Sequence, residues 1–283
     1  MAASVSERND DPVLHQNAAA WDRLAAAGEP LAQPAVDAAF ADPRRWLGTA
    51  GPPGRPWLPV SLAGLEVLCL AAGGGRHGPL YAAAGARVTV VDLSAAMLEL
   101  DRRVARERRI DLELVQTSMD DLGSLASSRY DLVVQPVSSC YLPRVNRLFA
   151  EVARVCRPAA GYISQHKLPT SLQGSLTLNA AGRYELVHPQ PPAAGPRREP
   201  LPPAEPSRLR EQGTAEFIHS LGDLLGGLCT SGFAIEDVWE PAEADTAAKP
   251  GTFGHRARFL PPYLRLLARR QGSGGTRQPL LVK

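Results

Sequence analysis

The chain is short of the residues that build disulfide frameworks and zinc sites. Its four cysteines, Cys69, Cys140, Cys156 and Cys229, lie far apart and form no Cys-x-x-Cys pair. Three fall inside apolar runs, where a reduced cysteine behaves as a small hydrophobe. The spacing argues against both kinds of site, and no obvious metal cluster replaces them. Net charge is equally scarce, at +2 over 283 residues. The arginines are scattered through DPRRW, DRRVARERR, GPRRE and LLARRQ. That is the pattern of solvated faces, not of one stripe tracking phosphates, so no nucleic-acid partner is expected. The N-terminal MAASVSERNDDP carries acidic residues where a secretory signal needs an apolar core. No apolar run approaches the length of a membrane span. The expectation is a cytoplasmic chain without a membrane partner, and nothing in the sequence sets its oligomeric state.

What is present is an ordinary globular mix, 44% hydrophobic and 21% charged, long enough for one large domain or two small ones. Residues 1–13 and 271–283 read as loose ends. Between them strand and helix signals alternate, which predicts a parallel sheet covered on both faces. EVLCLA (66–71), RVTVVDL (87–93), DLELV (111–115), YDLVVQPV (130–137) and GYISQHK (161–167) read as strands. GPLYAAAGA (78–86) is a helix ending near Gly85. Ser94 stands ready to cap the helix AAMLELDRRVARERR. In RVNRLFAEVARVC, Val145, Leu148, Phe149, Val152 and Cys156 share a helical face. SLTLNAAGRYELV suggests a hairpin around 179–182. The proline-dense stretch 189–206 is neither helix nor inner strand. Phe217, Leu221, Leu224, Leu225 and Leu228 predict an amphipathic helix, and FAIEDVWE and YLRLLAR two last strands. Since the alternation resumes, 168–210 reads as an insertion overhanging the strand ends as a lid. Residues 14–56 read as a helical cap, in which Trp21 and Trp46 are either a roof or ordinary packing.

The segment EVLCLAAGGGRHG ends a strand in three glycines, Gly73 to Gly75. Open parallel sheets take ligands outside the carboxyl ends of their strands, beside the first one. Glycine there tolerates positive φ and lets a ligand touch the backbone. Asp92, at the tip of the next strand, is placed to accept two hydrogen bonds from a ribose diol. Gly73-x-Gly75-x-x-Gly78 also spells a dinucleotide fingerprint. Three observations separate the two adenosine cofactors. Ala71 and Ala72 widen the loop, TSMDDL offers Asp120 to an adenine amino group, and the chain ends in helix, strand, strand instead of a second βαβαβ set.

From about Trp57 to Arg270 the chain resembles the class I S-adenosylmethionine-dependent methyltransferases of the small-molecule type. The glycine loop, VVDLS, SMDDL, YDLVVQPVSSCYL, FAEVARVCRPAAGYI and PYLRLLARR occur in that family's order. The resemblance implies a Rossmann-like α/β fold, a seven-stranded, mostly parallel sheet with an antiparallel last strand and helices on both faces. It implies S-adenosyl-L-methionine as cofactor. Ala71, Gly73 and Gly75 then lie against its methionine portion, and Asp92 and Leu93 at its ribose. Met119 and Asp120 frame its adenine, and Gln135 begins the segment facing the methyl group. Where the family usually shows an acid and a further glycine, this chain has Cys69 and Ala71, an exchange that suits a backbone of negative φ at Ala71. Gln135-Pro136-Val137-Ser138 is not the Asn/Asp-Pro-Pro-aromatic signature of the family's amide and exocyclic-amine methylases. That speaks against DNA adenine and protein glutamine as acceptors and for a small molecule methylated on oxygen, nitrogen or carbon.

His166, at the tip of the fifth strand, is the candidate base. Tyr141, after the fourth strand, is the candidate acceptor-facing group and pocket wall. His77 and His255 rank below them. Two other readings stay open on the sequence alone. One is an NAD(P)-dependent oxidoreductase, carried by the glycine spelling and Asp92. The other is a non-catalytic cofactor-binding module, carried by Cys69.

Overall fold

The computed structural model describes residues 11–47, 51–190, 201 and 213–272. Most of the stretches expected to be loose, at 1–13, 189–206 and 271–283, lie outside those residues.

The chain enters through helix α1 (Pro12–Ala27), capped by Asp11, whose side chain accepts from the Val13 N–H, with Pro12 in the first turn. Short helices α2 (Asp37–Ala41) and α3 (Pro43–Trp46) follow. The core begins with β1 (Glu66–Leu70), α4 (His77–Ala83), β2 (Arg87–Asp92), α5 (Ala95–Arg108), β3 (Glu113–Gln116) and β4 (Tyr130–Gln135). It continues through α6 (Asn146–Val155), β5 (Cys156–Lys167) and α7 (Pro169–Gln173). A π-helical turn (Gly222–Gly226) runs into α8 (Gly227–Thr230), followed by β6 (Phe233–Trp239), α9 (Phe253–Ala257) and β7 (Tyr263–Arg270).

The seven strands form one sheet in the order β3-β2-β1-β4-β5-β7-β6, and β7 runs antiparallel to both its neighbours. The central strands are apolar almost throughout because both of their faces are covered. Leu68 and Leu70 pack with Val133, Tyr162, Phe149 and Leu264 on one side. Val67 and Cys69 pack with Val134, Ile163, Leu80 and Tyr81 on the other. Burial, and to a smaller extent the Asp101 charge, pushes the Cys69 thiol well above its ordinary range, so it stays neutral and serves as packing.

Several local expectations are met. Ser94 caps α5, accepting from the Met97 N–H at 3.0 Å. Gly85 follows α4 with φ +95°. Others are corrected. Cys156 opens β5 instead of closing α6, and the strand takes a bulge at Ala159, φ +64°. The helix expected from Phe217 begins only at Leu221. Phe217 is instead fully buried in an extended segment, donating its N–H to the Cys140 carbonyl at 2.7 Å. Gly222, Gly226 and Gly227 weaken the helix, and Gly227 allows close approach, since a Cβ there would meet the Phe149 ring at 3.0 Å. The 179–182 turn forms, with Asn179 N–H donating to Arg183 O, but its arms meet in a single bridge, Gly174 to Leu186. Among the described residues, no helix is long and apolar enough to cross a membrane.

Candidate functional site

A cavity of about 370 Å³ opens at the carboxyl ends of β1, β2, β4 and β5. Such a position follows from the topology. The chain leaves β1 for one side of the sheet and β4 for the other, and the loops part between them. The floor is the glycine loop, with Ala71, Gly73 and Gly74 lining the cavity. Asp92 forms the adjoining wall together with Leu93, Met97 and the 117–119 segment.

Asp92 organises this floor. Its Oδ2 accepts from the Gly73 N–H at 2.8 Å and its Oδ1 from the Ser94 N–H at 2.9 Å. Each carboxylate oxygen keeps further lone-pair capacity on the cavity side. Burial raises the Asp92 pKa, against the lowering effect of those backbone donors and of the Leu93 N–H, with the Asp22 charge adding to the rise. Gly73 has to be glycine: a Cβ would lie 2.8 Å from Met97 Cβ and 2.9 Å from Asp92 Oδ2.

Beneath the loop lies a second acid, Asp101 of α5, fully buried. Its Oδ2 accepts from the Gly74 N–H at 2.9 Å, whereas Oδ1 is buried without a hydrogen-bond partner. Burial pushes its pKa up to about 8, outweighing the backbone donors of Gly75 and Gly74, and the Asp92 charge adds to the rise. Asp101 is thus a neutral acid at pH 7, holding the loop from below.

The roof is α1, through Leu14, Asn17 and Trp21. Asn17 is buried and ties three segments together. Its Nδ2 donates to the Tyr141 and Ala215 carbonyls at 3.1 and 3.3 Å, and its Oδ1 accepts from the Ala215 N–H at 2.6 Å. Asp22 anchors the other side, accepting from Ser94 Oγ at 2.5 Å and from the Ala96 N–H at 3.1 Å. Trp21 meets the Tyr141 ring edge-on at 6.0 Å. Trp46 is half exposed and lies elsewhere. None of the described residues of 168–190 lines the cavity. The rest of the expected 168–210 lid, apart from Leu201, lies outside the described residues.

The residues expected at the site divide accordingly. Ala71, Gly73, Asp92, Leu93, Met119 and Tyr141 line the cavity. Four do not. Gly75 turns away at φ +73°, packed so that a Cβ would meet Val104, Pro34 and the Leu100 carbonyl. Asp120 accepts from Ser118 Oγ at 2.5 Å, and burial raises its pKa. Gln135 is fully buried, donating to Ser138 Oγ at 2.8 Å and accepting from the Tyr162 hydroxyl.

His166 is the fourth, and the expected base is corrected. It lies behind the wall, fully buried, with Nδ1 at 2.8 Å from Ser139 Oγ and Nε2 at 2.8 Å from Ser164 Oγ. Ile163, Ser164 and Gln165 of the same strand line the cavity, whereas His166 does not. Burial, with His219 adding, lowers its pKa to about 3. His255 bonds Tyr184 away from the site, at 2.9 Å. His77 does line the cavity, with a pKa lowered to about 4 by burial first and then by Arg76 and Arg265. Ala71 also departs from expectation, because its φ is +48°, the left-handed region that favours glycine.

Sequence reading missed Asn17, Asp101, Tyr263 and Arg265. Leu14, Asn17 and Trp21 follow an i, i+3, i+7 spacing that marks one helix face, so α1 carried a usable signal. Asp101 sits at a core-facing position of an amphipathic helix, where a charge is out of place. Tyr263 and Arg265 carried none, since their place depends on how the last strand pairs.

The comparisons with known proteins agree with this architecture. Residues 68–163 match the model of a methyltransferase domain family. A Bacillus subtilis (strain 168) protein named as the uncharacterized methyltransferase YbaJ is 36% identical over 187 residues, 66% of this chain and 72% of its own. The fold resembles an S-adenosylmethionine-dependent methyltransferase from Mesorhizobium loti, with TM-score 0.58, 25% identity and coverage of 75% of this chain and 94% of that one. It also resembles geranyl diphosphate C-methyltransferase from Streptomyces coelicolor A3(2), with TM-score 0.57 at 16% identity, covering 92% of this chain and 99% of that one. Sheet order, cavity position and these relationships converge: the chain belongs to the class I S-adenosylmethionine-dependent methyltransferases.

Proposed function

We propose that the chain transfers a methyl group to a small-molecule acceptor by in-line displacement, with both ligands held in the cavity between the glycine loop and α1. Asp92 is the main support for this reading. Its oxygens are fixed by the Gly73 and Ser94 amides while the carboxylate lines the cavity, a rigid acceptor pair suited to a ribose diol. Hydrogen bonds to a charged group contribute about 1.5–3 kcal/mol each. The loop around Gly73 and Gly74 brings backbone to the cavity surface, a cradle that side chains would fill. The donor set therefore fits S-adenosyl-L-methionine, with Ala71, Gly73 and Gly74 at its amino-acid end, Asp92 and Leu93 at its ribose and Met119 at its adenine.

When bound, that cofactor supplies a methyl group on a sulfonium, already electrophilic. The chain's own task is then orientation and exclusion of water. α1 closes the cavity from above, and Trp21 and Tyr141 form an aromatic wall. Tyr141 borders the space left for the acceptor, with the 136–138 turn beside it. His77 is neutral at pH 7 and too weak a base to take a proton from an alcohol. His166 acts through structure, buttressing Ser139 and Ser164.

Thermal denaturation with S-adenosylhomocysteine, and separately with NADH and NADPH, tests the reading. Ligand at about a hundred times its dissociation constant adds roughly 2.7 kcal/mol, a shift of several degrees. A shift with S-adenosylhomocysteine alone is expected. A shift with the nicotinamides alone would refute the proposal.

A further inference from the structure

Two acids grip the glycine loop. Gly73 donates its N–H to Asp92 Oδ2 at 2.8 Å and Gly74 to Asp101 Oδ2 at 2.9 Å, and the Gly75 amide also acts on Asp101. The two differ in place. Asp92 lines the cavity, and among the described residues it is the carboxylate that does so. Asp101 is fully buried behind the Gly74 peptide, which separates it from the cavity.

The surroundings of Asp101 pull in two directions. The amide donors favour the carboxylate, which only accepts. Burial favours the neutral acid, and Oδ1 is buried without a hydrogen-bond partner. Gly78 of α4 stands next to that oxygen, since a Cβ there would lie 3.5 Å from it. The elements packed against Asp101 bring several titratable and charged groups. Asp92 of β2 is the charge that acts on it, and Cys69 of β1 is a neutral thiol. His77, where α4 begins, is neutral, and Arg76 before it reaches the Gln33 carbonyl at 3.2 Å. Asp22 of α1 is tied to Ser94 and Ala96, and Glu113 of β3 to Arg129. On α5 itself, Glu99 pairs with Arg102 and Arg106 on the exposed side.

The cofactor proposed above carries a sulfonium and an ammonium against one carboxylate, a single net positive charge. Its product, S-adenosylhomocysteine, has lost the sulfonium charge and is neutral overall. With Gly73 and Gly74 at the amino-acid end, the sulfonium stands over the stretch of loop that Asp101 bonds from behind. Charges in a partly apolar enclosure are weakly screened. One positive charge beside a carboxyl held between opposed tendencies is enough to move its proton.

We infer that Asp101 is the counter-charge of the bound cofactor, acting across the Gly74 peptide: it releases its proton to solvent when S-adenosyl-L-methionine fills the cavity and takes one back when S-adenosylhomocysteine remains. The step between the two states balances. The S–CH3 bond breaks with its electron pair left on sulfur, and a lone pair of the acceptor forms the new bond. The positive charge leaves with the methylated acceptor or with the proton that it sheds. The inference rests on the methyltransferase reading and makes Asp101 a positioning residue that tells donor from product.

The test titrates the full chain calorimetrically with S-adenosyl-L-methionine and with S-adenosylhomocysteine, without acceptor, at pH 6 and pH 9. The preference for S-adenosyl-L-methionine should rise with pH at least about fivefold more in the wild type than in Asp101→Asn. Comparing the two chains cancels the titration of the ligands' own ammonium groups, of Asp92 and of His77. Glu99→Gln, at an exposed acid of the same helix, should follow the wild type. A purely structural Asp101 would alter both affinities alike, so equal pH courses in wild type and Asp101→Asn overturn the inference. A second measurement needs no variant. Infrared difference spectra of the wild type at pH 7 should lose protonated-carboxyl absorption on adding S-adenosyl-L-methionine and not on adding S-adenosylhomocysteine. No loss, or equal loss with both ligands, also overturns the inference. Failure of the wild type to bind either ligand is a different result, and removes the methyltransferase reading together with the inference built on it.

Discussion

Asp92 Oδ2 lies 2.8 Å from the Gly73 nitrogen, and a Cβ built on Gly73 would stand 2.9 Å from the same oxygen. One short contact thus fixes both the orientation of the carboxylate and the identity of the residue it holds. The cavity floor is a unit, and its two halves fail differently.

Gly73→Ala drives a methyl group into Asp92 and Met97, so the loop shifts and the carboxylate turns. We expect S-adenosylhomocysteine affinity to fall at least a hundredfold. Asp92→Asn keeps the shape but removes charge-assisted acceptance, and a loss of about tenfold to a hundredfold is expected. Calorimetric titration of both variants checks the order. A smaller effect for Gly73→Ala than for Asp92→Asn would contradict the shared floor.

Ala71 carries a positive φ that costs a non-glycine residue about 1–2 kcal/mol. Glycine relieves this and gives back part of the gain through the greater freedom of the unfolded chain. Ala71→Gly should therefore raise stability by up to about 1 kcal/mol in urea denaturation. A variant less stable than wild type would show that the Ala71 methyl does more in the cavity wall than its strain costs.

The buried acid beneath the loop gives a pH signature. The Asp101 pKa is raised to about 8 in the folded chain, against about 4 unfolded. Between those values the folded state binds more protons, so this group's contribution to stability declines as pH rises from 4 to 8. The Asp92 charge adds to the preference for a neutral carboxyl, while the neighbouring Cys69 thiol stays neutral. Asp101→Asn should be more stable than wild type at pH 8, by a few kcal/mol at most, with the gap closing toward pH 4. Denaturation across that range measures it, and a gap that grows on acidification contradicts the assignment.

His166 works in the other direction. Its folded pKa is about 3 and its unfolded value about 6.5, so below pH 6.5 the unfolded chain binds the extra proton. The contribution is present in full above pH 6.5 and is lost as pH falls toward 3. His166→Gln should reduce the stability drop between pH 7 and pH 5 by about 2 kcal/mol. Turnover at pH 7 should depend on this residue through stability alone, and an intact fold with abolished turnover would restore His166 as a base.

The sheet was largely legible in the sequence because its central strands are buried on both faces, so EVLCL and YDLVVQ read as continuous apolar runs. The floor was legible too, since Gly73 and Asp92 are 19 residues apart and belong to consecutive strand ends. The far wall was not. Gln135 and His166 sit near strand tips, but Ser138 and Tyr162 hold the one and Ser139 and Ser164 the other away from the cavity, and a tip position does not reveal those partners. Arg265 depends on the antiparallel pairing of β7 with β5, contacts made across about a hundred residues. The roof was half legible: Trp21 was singled out, but the i, i+3, i+7 face of Leu14, Asn17 and Trp21 that lines the cavity was not read as one.

Asn17 bonds residues 124 and 198 positions further along the chain, and Arg265 lies on the final strand. The cavity therefore draws its floor from the middle of the polypeptide, its roof from the beginning and its far wall from the end. On the ribosome, synthesis delivers these parts in the order roof, floor, wall. The roof gains its partners in turn, Ser94 and Ala96 first, then Tyr141 and last Ala215, and the enclosure closes only once β7 emerges. A nascent chain stalled before that point carries the glycine loop and Asp92 but no enclosed site.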